Sequence, residues 1–220
     1  MEPTFSVVMT VYDNARELEE NLPAYLSQDY APGYEMIIVD ESSSDDTDDV
    51  LTRFKANIEP STLNVPSKPI SRLYTTFLPR PNRLVSRQRM ALTLGVKAAR
   101  NKWIVFSDIH TVPSPTWLKE IAEFTTGSTT LILGYKRKNG DIRLQLFDDI
   151  NSASTIVGKA ERQRANGHKG KFLRYLRGKY DFIAVPANQG HDLLRLYEHP
   201  IHGLQLFGYR MRTIFYNMSH

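Results

Sequence analysis

FSVVMTVYDNARELEENLPAYLSQ, residues 5–28, is the stretch that decides the fold. Phe5 to Val11 form an apolar, β-branched run, the pattern of a strand buried on both faces. Asn14 stands where a helix cap belongs, and Leu18, Leu22, Tyr25 and Leu26 then recur at helical spacing. The spacing predicts a helix from Ala15 to about Gln28, kinked by Pro23. A doubly buried strand leading straight into an amphipathic helix is the opening of a βα unit.

The same unit repeats outward. The turn Tyr30-Ala-Pro-Gly33 leads to a second buried strand, Glu35 to Val39, and Ser44 or Asp45 opens a helix over Asp46 to Ala56. Ser71 to Leu78 reads as a strand, Ser86 to Ala99 as a helix and Lys102 to Phe106 as a strand. Alternation of this kind predicts an α/β fold: a mostly parallel central sheet flanked by helices. Beyond Leu118 the pattern weakens. Thr129 to Tyr135 reads as a strand, Ile142 to Gly158 is ambiguous, and Lys169 to Tyr180 and Leu193 to Met211 are basic and aromatic. No clean linker divides the chain, so 1–220 is read as one domain with halves 1–118 and 119–220.

The composition is globular, with 41% hydrophobic, 24% charged and 10% aromatic residues in 220. No run of about eighteen apolar residues predicts a membrane span. The N-terminus lacks the basic start and cleavage site of a signal peptide. Cysteine is absent, which removes disulfides and thiolate metal sites. These features favour a cytoplasmic location. The net charge of +4 conceals an asymmetry: Asp40 to Asp49 is acidic, whereas Arg80 to Arg100 carries six basic residues and no acid. A second basic stretch, Lys159 to Lys179, has Glu161 as its single acid. Such stretches attract phosphorylated substrates, anionic lipid or nucleic acid, or simply form solvated faces.

In a parallel sheet, ligands bind outside the carboxyl ends of the strands, where the strand order reverses. The residues just beyond those ends are Thr10-Val-Tyr12-Asp13, Asp40-Glu41-Ser42 and Asp108-Ile-His110. A dinucleotide fold needs glycines after the first strand, but TVYDNARE has none, and no P-loop occurs. If a nucleotide binds, it must be held by side chains and a metal instead. Tyr12 is placed to stack on a base and Thr10 to hydrogen-bond to it. Asp40 or Glu41 is suited to the imide N–H of uracil or a ribose hydroxyl. The plainer reading of the 40–49 run is capping acids at a positive helix N-terminus. Asp45, Asp46 and Asp48 fit that reading better than Asp40 and Glu41 do.

Asp108 and His110 supply one oxygen and one nitrogen ligand two residues apart. A hard divalent ion neutralises a diphosphate while using few protein ligands, and this mixed pair suits Mn²⁺ better than Mg²⁺. The alternative is that Asp108 caps the next helix. Arg87 and Arg89 either reach phosphate from the preceding helix or decorate a surface.

FSVVMTVYDNARELEENLPAYLSQDY, EMIIVDESSSDDT and RQRMALTLGVKAARNKWIVFSDIHTVPSPTWL together resemble the family 2 glycosyltransferases of GT-A fold, in order and spacing through Leu118. The chain looks like a diverged bacterial member. The resemblance implies a Rossmann-like nucleotide-binding half, with Thr10, Tyr12, Asp40 and Glu41 at the nucleotide. It puts Asp108 and His110 at the D-x-D site for metal and diphosphate, His110 standing where the family usually has Asp. Farther on, GHKGKFLRYLRGKY is similar to a segment that usually reads G-x-G-K-N-L-A-Y-R, with Phe172 in place of Asn. QGHDLLRLY is similar to the segment carrying the family's acidic pair, here His191-Asp192, so Asp192 inherits the role of catalytic base.

The chemistry so implied is inverting transfer of a sugar from a nucleotide diphosphate donor, a UDP-sugar first, to a glycan or lipid-linked acceptor. The implied cofactor is Mn²⁺ or Mg²⁺, Mn²⁺ preferred, and the implied setting is cell-envelope polysaccharide synthesis. A second reading is a non-catalytic relative that binds nucleotide sugar or a partner, favoured by His110, Phe172 and His191. A sugar nucleotidyltransferase would need a glycine-rich, basic loop after the first strand, which is absent. Nucleic-acid binding is not expected, because no known module occurs and acids line the strand exits. Within 201–220, Leu204, Phe207, Met211, Ile214 and Phe215 keep approximate helical spacing beside Arg210 and Arg212. That stripe makes a peripheral contact at the inner face of the cell membrane, a contact with a partner, or a plain packing face.

Overall fold

β1 (Phe5–Val11), β2 (Tyr34–Asp40), β3 (Ile70–Phe77) and β4 (Trp103–Ser107) alternate with α1 (Ala15–Leu26), α2 (Thr47–Ile58) and α3 (Arg87–Ala98). The computed structural model describes residues 2–58, 70–78, 87–125, 128–129, 131–136, 142–147 and 181–190. Within that range α4 (Trp117–Ala122), β5 (Leu131–Lys136), β6 (Ile142–Phe147) and β7 (Phe182–Pro186) follow. The strands form one sheet of order β3-β2-β1-β4-β7-β5-β6. β1 pairs in parallel with β2 and β4, and β2 in parallel with β3. β7 lies antiparallel to both β4 and β5, and β6 antiparallel to β5. Only β6 and β7 therefore run against the other five strands, and the sheet is mostly parallel. The order reverses at β1, the strand next to which β4 returns after β2 and β3 have grown the other way.

Strand pleating sorts the core onto two faces. Val7, Met9 and Val11 of β1 and Met36 and Ile38 of β2 pack with Leu18, Leu22 and Tyr25 of α1, Val50 and Leu51 of α2, and Trp117 of α4. Val8 and Ile37 face the other way, onto Leu92 and Val96 of α3. All seven residues of β2 are buried. At about 1.5–3 kcal/mol for each fully buried aliphatic side chain, these two strands anchor the whole layer. α3 comes close to β1 because Gly95 has no Cβ: one built there would sit 2.4 Å from Val8 Cγ1.

The first half follows the sequence pattern to within a few residues. α1 stops at Leu26 instead of Gln28: Ser27 leaves helical geometry at φ −111° and ψ 25°, and its N–H and hydroxyl close the last turn on Pro23 O, at 3.1 and 2.8 Å. α2 begins at Thr47, later than the residue sequence spacing selects. The ambiguous stretch after Asp141 opens with a strand, and β7 is one the sequence pattern did not reveal. Among the described residues no helix is long and apolar enough to cross a membrane.

Glu35 is a buried charged residue near the start of β2, and it is fully satisfied. Its Oε1 accepts from Ser6 Oγ at 2.6 Å and from the Arg100 N–H at 2.7 Å. Its Oε2 accepts from Arg72 Nε at 2.9 Å, with a second guanidinium nitrogen at 2.6 Å. This network ties the amino ends of β1, β2 and β3 to the turn that leads into β4.

β5 carries a second close approach. Gly134 is in register with Phe182, and a Cβ at position 134 would meet the Phe182 ring at 2.0 Å. That ring stands edge-on to Trp117, centroids 5.2 Å apart. Gly134→Ala is expected to push Phe182 off Trp117 and lower unfolding free energy by about 1–3 kcal/mol, the usual cost of overpacking. Urea unfolding checks this, and adding Phe182→Leu should recover part of the loss.

Candidate functional site

Three strand ends meet beside the point where the strand order reverses. Val11 and Asp40 are in register as the last residues of β1 and β2, and the Glu41 N–H donates to Val11 O at 2.9 Å. Thr10 and Tyr12 on one strand exit thus stand next to Asp40 and Glu41 on the other. Thr10 and Tyr12 are half-buried, and Asp40 and Glu41 are buried. β4 pairs with β1 as far as Val8↔Phe106 and ends at Ser107, so Asp108 leaves the sheet on the same side.

The loops beyond β1 and β2 are sewn to each other. Asp40 Oδ1 accepts from the Ser43 N–H at 3.0 Å and from its hydroxyl at 2.5 Å. Asp13 donates its N–H to Ser43 Oγ at 2.9 Å, and its Oδ1 accepts the Ser44 N–H at 2.6 Å. Asp13 and Ser42 hold left-handed backbone, with φ of 49° and 67°. Asn14 occupies the cap position of α1, but its side chain accepts from the Tyr12 N–H, at 3.1 Å, and makes no helix cap. Asp45 does that work from the neighbouring loop: Oδ2 accepts the Ala15 N–H at 3.0 Å and Oδ1 the Thr47 N–H at 3.1 Å. One carboxylate therefore takes the first N–H of two helices. Burial pulls the Asp45 carboxyl upward, but the Thr47 side chain and the Ala15 and Thr47 N–H groups outweigh it and hold its pKa below the ordinary 3.8.

The β4 exit is shaped by its own aspartate. Asp108 Oδ1 accepts the His110 N–H at 2.7 Å, and the Thr111 N–H reaches Asp108 O at 3.1 Å. Asp108 is half-buried, Ile109 buried and His110 exposed. The helix-cap alternative does not hold, since α4 begins at Trp117 behind Thr116. α1 grips this loop along one edge. Asn21 Nδ2 donates to Ile109 O at 2.9 Å, and the Tyr25 hydroxyl lies 2.8 Å from both Ser107 Oγ and Asp108 O and 2.7 Å from Thr111 O. Gln28 continues the edge, donating from Nε2 to Ser114 O at 2.8 Å. Residues 21, 25 and 28 form a polar ridge at i, i+4 and i+7; sequence reading placed Tyr25 in the apolar stripe and passed over Asn21 and Gln28. The signal was there in Asn21 and Gln28, which have no place on a purely apolar face.

Arg87 opens α3, with Arg89 in its first turn, at the carboxyl end of the sheet; their side chains are not among the described residues. Asp192, Phe172, His191 and the 201–220 stripe also lie outside the described residues. Among those described, no three His, Asp or Glu side chains gather as a ready metal cage. The donor set at the β4 exit nonetheless fits a divalent ion bound mainly by a ligand's phosphate oxygens. A carboxylate offers about four lone-pair sites, of which the His110 N–H uses one, and His110 adds an exposed imidazole.

The family described as Glycosyl transferase family 2 matches residues 6–172. No curated protein sequence matches the chain. Among solved structures, a mannosyltransferase from Pyrobaculum calidifontis, in complex with GDP-Man and Mn²⁺, is 17% identical with a TM-score of 0.54; the match covers 89% of this chain and 46% of that one. TarS residues 1–349 of S. aureus in complex with UDP-GlcNAc is 18% identical with a TM-score of 0.46, covering 61% of this chain and 34% of that one. The chain thus spans less than half the length of these proteins, and the likeness is one of fold.

Asp45→Ala removes the shared cap and is expected to cost about 0.5–2 kcal/mol at neutral pH. Because the folded pKa lies below the unfolded one, the folded state binds fewer protons there, and the ionised carboxylate stabilises the fold above pH 3.8. That contribution is lost as pH falls through the lowered folded value. Denaturant titrations of both proteins from neutral pH into acid should show the gap closing only below that ordinary value.

Proposed function

The chain belongs to glycosyl transferase family 2, and from that premise we propose that it is an inverting glycosyltransferase using a nucleotide diphosphate sugar, a UDP-sugar first. The observation that carries the reading is the meeting of Thr10 and Tyr12, Asp40 and Glu41, and Asp108 and His110 at three neighbouring strand exits. Tyr12 stacks on the base, Thr10 hydrogen-bonds to it, and Asp40 and Glu41 accept from the base or ribose. Asp108 and His110 hold a divalent ion, Mn²⁺ ahead of Mg²⁺, which supplies positive charge to the diphosphate. The GDP-Man and Mn²⁺ bound by the Pyrobaculum mannosyltransferase support a nucleotide sugar and a divalent ion as the ligands. Arg87 and Arg89, at the start of α3, add charge on the phosphate side.

Asp192 takes the proton from an acceptor hydroxyl on a glycan or lipid-linked acceptor. The acceptor oxygen forms its bond to the anomeric carbon as the bond to the diphosphate breaks on the opposite face, and the electron pair leaves with the nucleoside diphosphate. One displacement inverts the configuration. Residues 1–118 and 119–220 contribute strands to the same sheet, which supports treating them as one domain. We place the protein in the cytoplasm, in cell-envelope polysaccharide synthesis, with 201–220 touching the inner face of the membrane. A second reading, a relative that binds the donor without transferring it, is favoured by His110 in place of the family's second aspartate.

Melting curves test the donor site. UDP with Mn²⁺ should stabilise the protein by about 2.7 kcal/mol at 100 times its dissociation constant, more than UDP alone. Asp108→Ala should remove the Mn²⁺-dependent part while the protein stays folded. If no nucleoside diphosphate shifts melting at millimolar concentration, the donor-site assignment is wrong.

Asp192→Asn separates the two readings. The change keeps shape and removes the proton acceptor, so transfer in a radiolabelled-sugar assay should fall by roughly 10²–10⁴-fold with donor binding unchanged. Retained transfer marks Asp192 as no more than a helix cap, for which Asn serves equally. A wild type that binds donor yet transfers no sugar supports the non-catalytic reading.

A further inference from the structure

The Tyr25 side chain is 1% exposed, and its ring is held edge-on against Trp117 with centroids 5.8 Å apart. Its hydroxyl is therefore aimed by packing. Three groups of the β4 exit lie within 2.8 Å of it: Ser107 Oγ, Asp108 O and Thr111 O. The two carbonyls can only accept, and Tyr25 has one proton to give. The consistent arrangement has Ser107 donating to Tyr25 and the Tyr25 proton shared between the carbonyls of Asp108 and Thr111. Those carbonyls flank the two-residue turn that Asp108 Oδ1 closes on the His110 N–H. Asn21, one helical turn earlier, holds Ile109 O between them.

We propose that the Tyr25 hydroxyl, assisted by Asn21, is a positioning group that holds the Asp108–His110 turn in the one shape able to bind a divalent cation together with a nucleoside diphosphate. The proposal rests on the reading of Asp108 and His110 as the metal and diphosphate ligands. Four hydrogen bonds join two side chains of α1 to residues 107–111, more than packing the loop requires. They fix the carbonyls of Asp108, Ile109 and Thr111, and so fix the direction in which the Asp108 carboxylate leaves the chain. Losing a group that orients a metal ligand through hydrogen bonds typically lowers metal affinity by about 10–100-fold. Tyr25 touches neither cation nor nucleotide and is no catalytic residue.

Tyr25→Phe keeps the ring and deletes the hydroxyl. The test is Mn²⁺ binding to the full chain with saturating UDP, read from the electron paramagnetic resonance signal of free Mn²⁺, beside UDP binding without metal by calorimetry. The expected result is an Mn²⁺ affinity lower by roughly 10-fold, unchanged metal-free UDP binding, and faster hydrogen exchange at the His110 and Thr111 amides alone. Equal Mn²⁺ affinity in the two proteins overturns the positioning role and leaves the metal site standing. Parallel loss of Mn²⁺ and metal-free UDP binding also overturns it, since that marks general loosening. A wild type that takes up no Mn²⁺ with UDP overturns the metal reading itself, and the proposal with it. If Tyr25→Phe does not fold, Asn21→Ala replaces it. That change removes the 2.9 Å bond to Ile109 O and should give the same split at smaller size; no split overturns the proposal.

Discussion

A strand buried on both faces has no room along its length for a polar side chain without a partner, and β1 is such a strand. Of its seven residues only Thr10, next to the carboxyl end, is less than buried. β2 is buried throughout. Leaving a polar group unpaired in such a place costs about 1–3 kcal/mol, so the chain's polar chemistry is driven to the strand ends. The two ends are then used in opposite ways.

At the amino ends the polar groups form a closed set. Both oxygens of Glu35 are taken, by Ser6, Arg72 and the Arg100 N–H, and nothing remains to offer a ligand. At the carboxyl ends Asp45 uses both oxygens as helix caps, but three other aspartates commit one oxygen each. Asp13, Asp40 and Asp108 each use Oδ1 to accept a loop N–H, and among the described residues no donor is placed on the other oxygen. A carboxylate held in this way is oriented without being satisfied. The left-handed backbone at Asp13 and Ser42 belongs to the same design, at about 1–3 kcal/mol each. It is offset by the bonds from the Asp13 N–H to Ser43 Oγ and from the Ser42 hydroxyl to Leu78 O.

This contrast also explains what could be read from the sequence. β1, β2, β4 and the three long helices were legible because continuous apolar runs and helical spacing are local signals. The strand exits followed from them, and with them the grouping of Thr10, Tyr12, Asp40, Glu41, Asp108 and His110. The role of Glu35 was not legible: its partners stand 29, 37 and 65 residues away in the chain, and a single acid opening EMIIV looks like a strand boundary. Asp45 was read as a capping acid, but its reach to α1 is a contact across 30 residues. β7 escaped because FIAVP is short, ends in proline and follows a basic stretch, and its place between β4 and β5 is set by pairing alone.

α1 links the two halves of the proposed site. Its first N–H is fastened by Asp45 to the loops beyond β1 and β2, where the nucleotide is placed. Its second half is fastened by Asn21 and Tyr25, with Gln28 just past its end, to the chain beyond β4, where we propose the diphosphate. Leu18, Leu22 and the Tyr25 ring meanwhile lock the same helix onto the sheet. A rotation of α1 would have to break the core contacts and both sets of hydrogen bonds together. The distance between the loops beyond β2 and β4 is therefore set by a rigid helix and not by the loops themselves, which is what the proposed site, for a ligand of fixed length, requires.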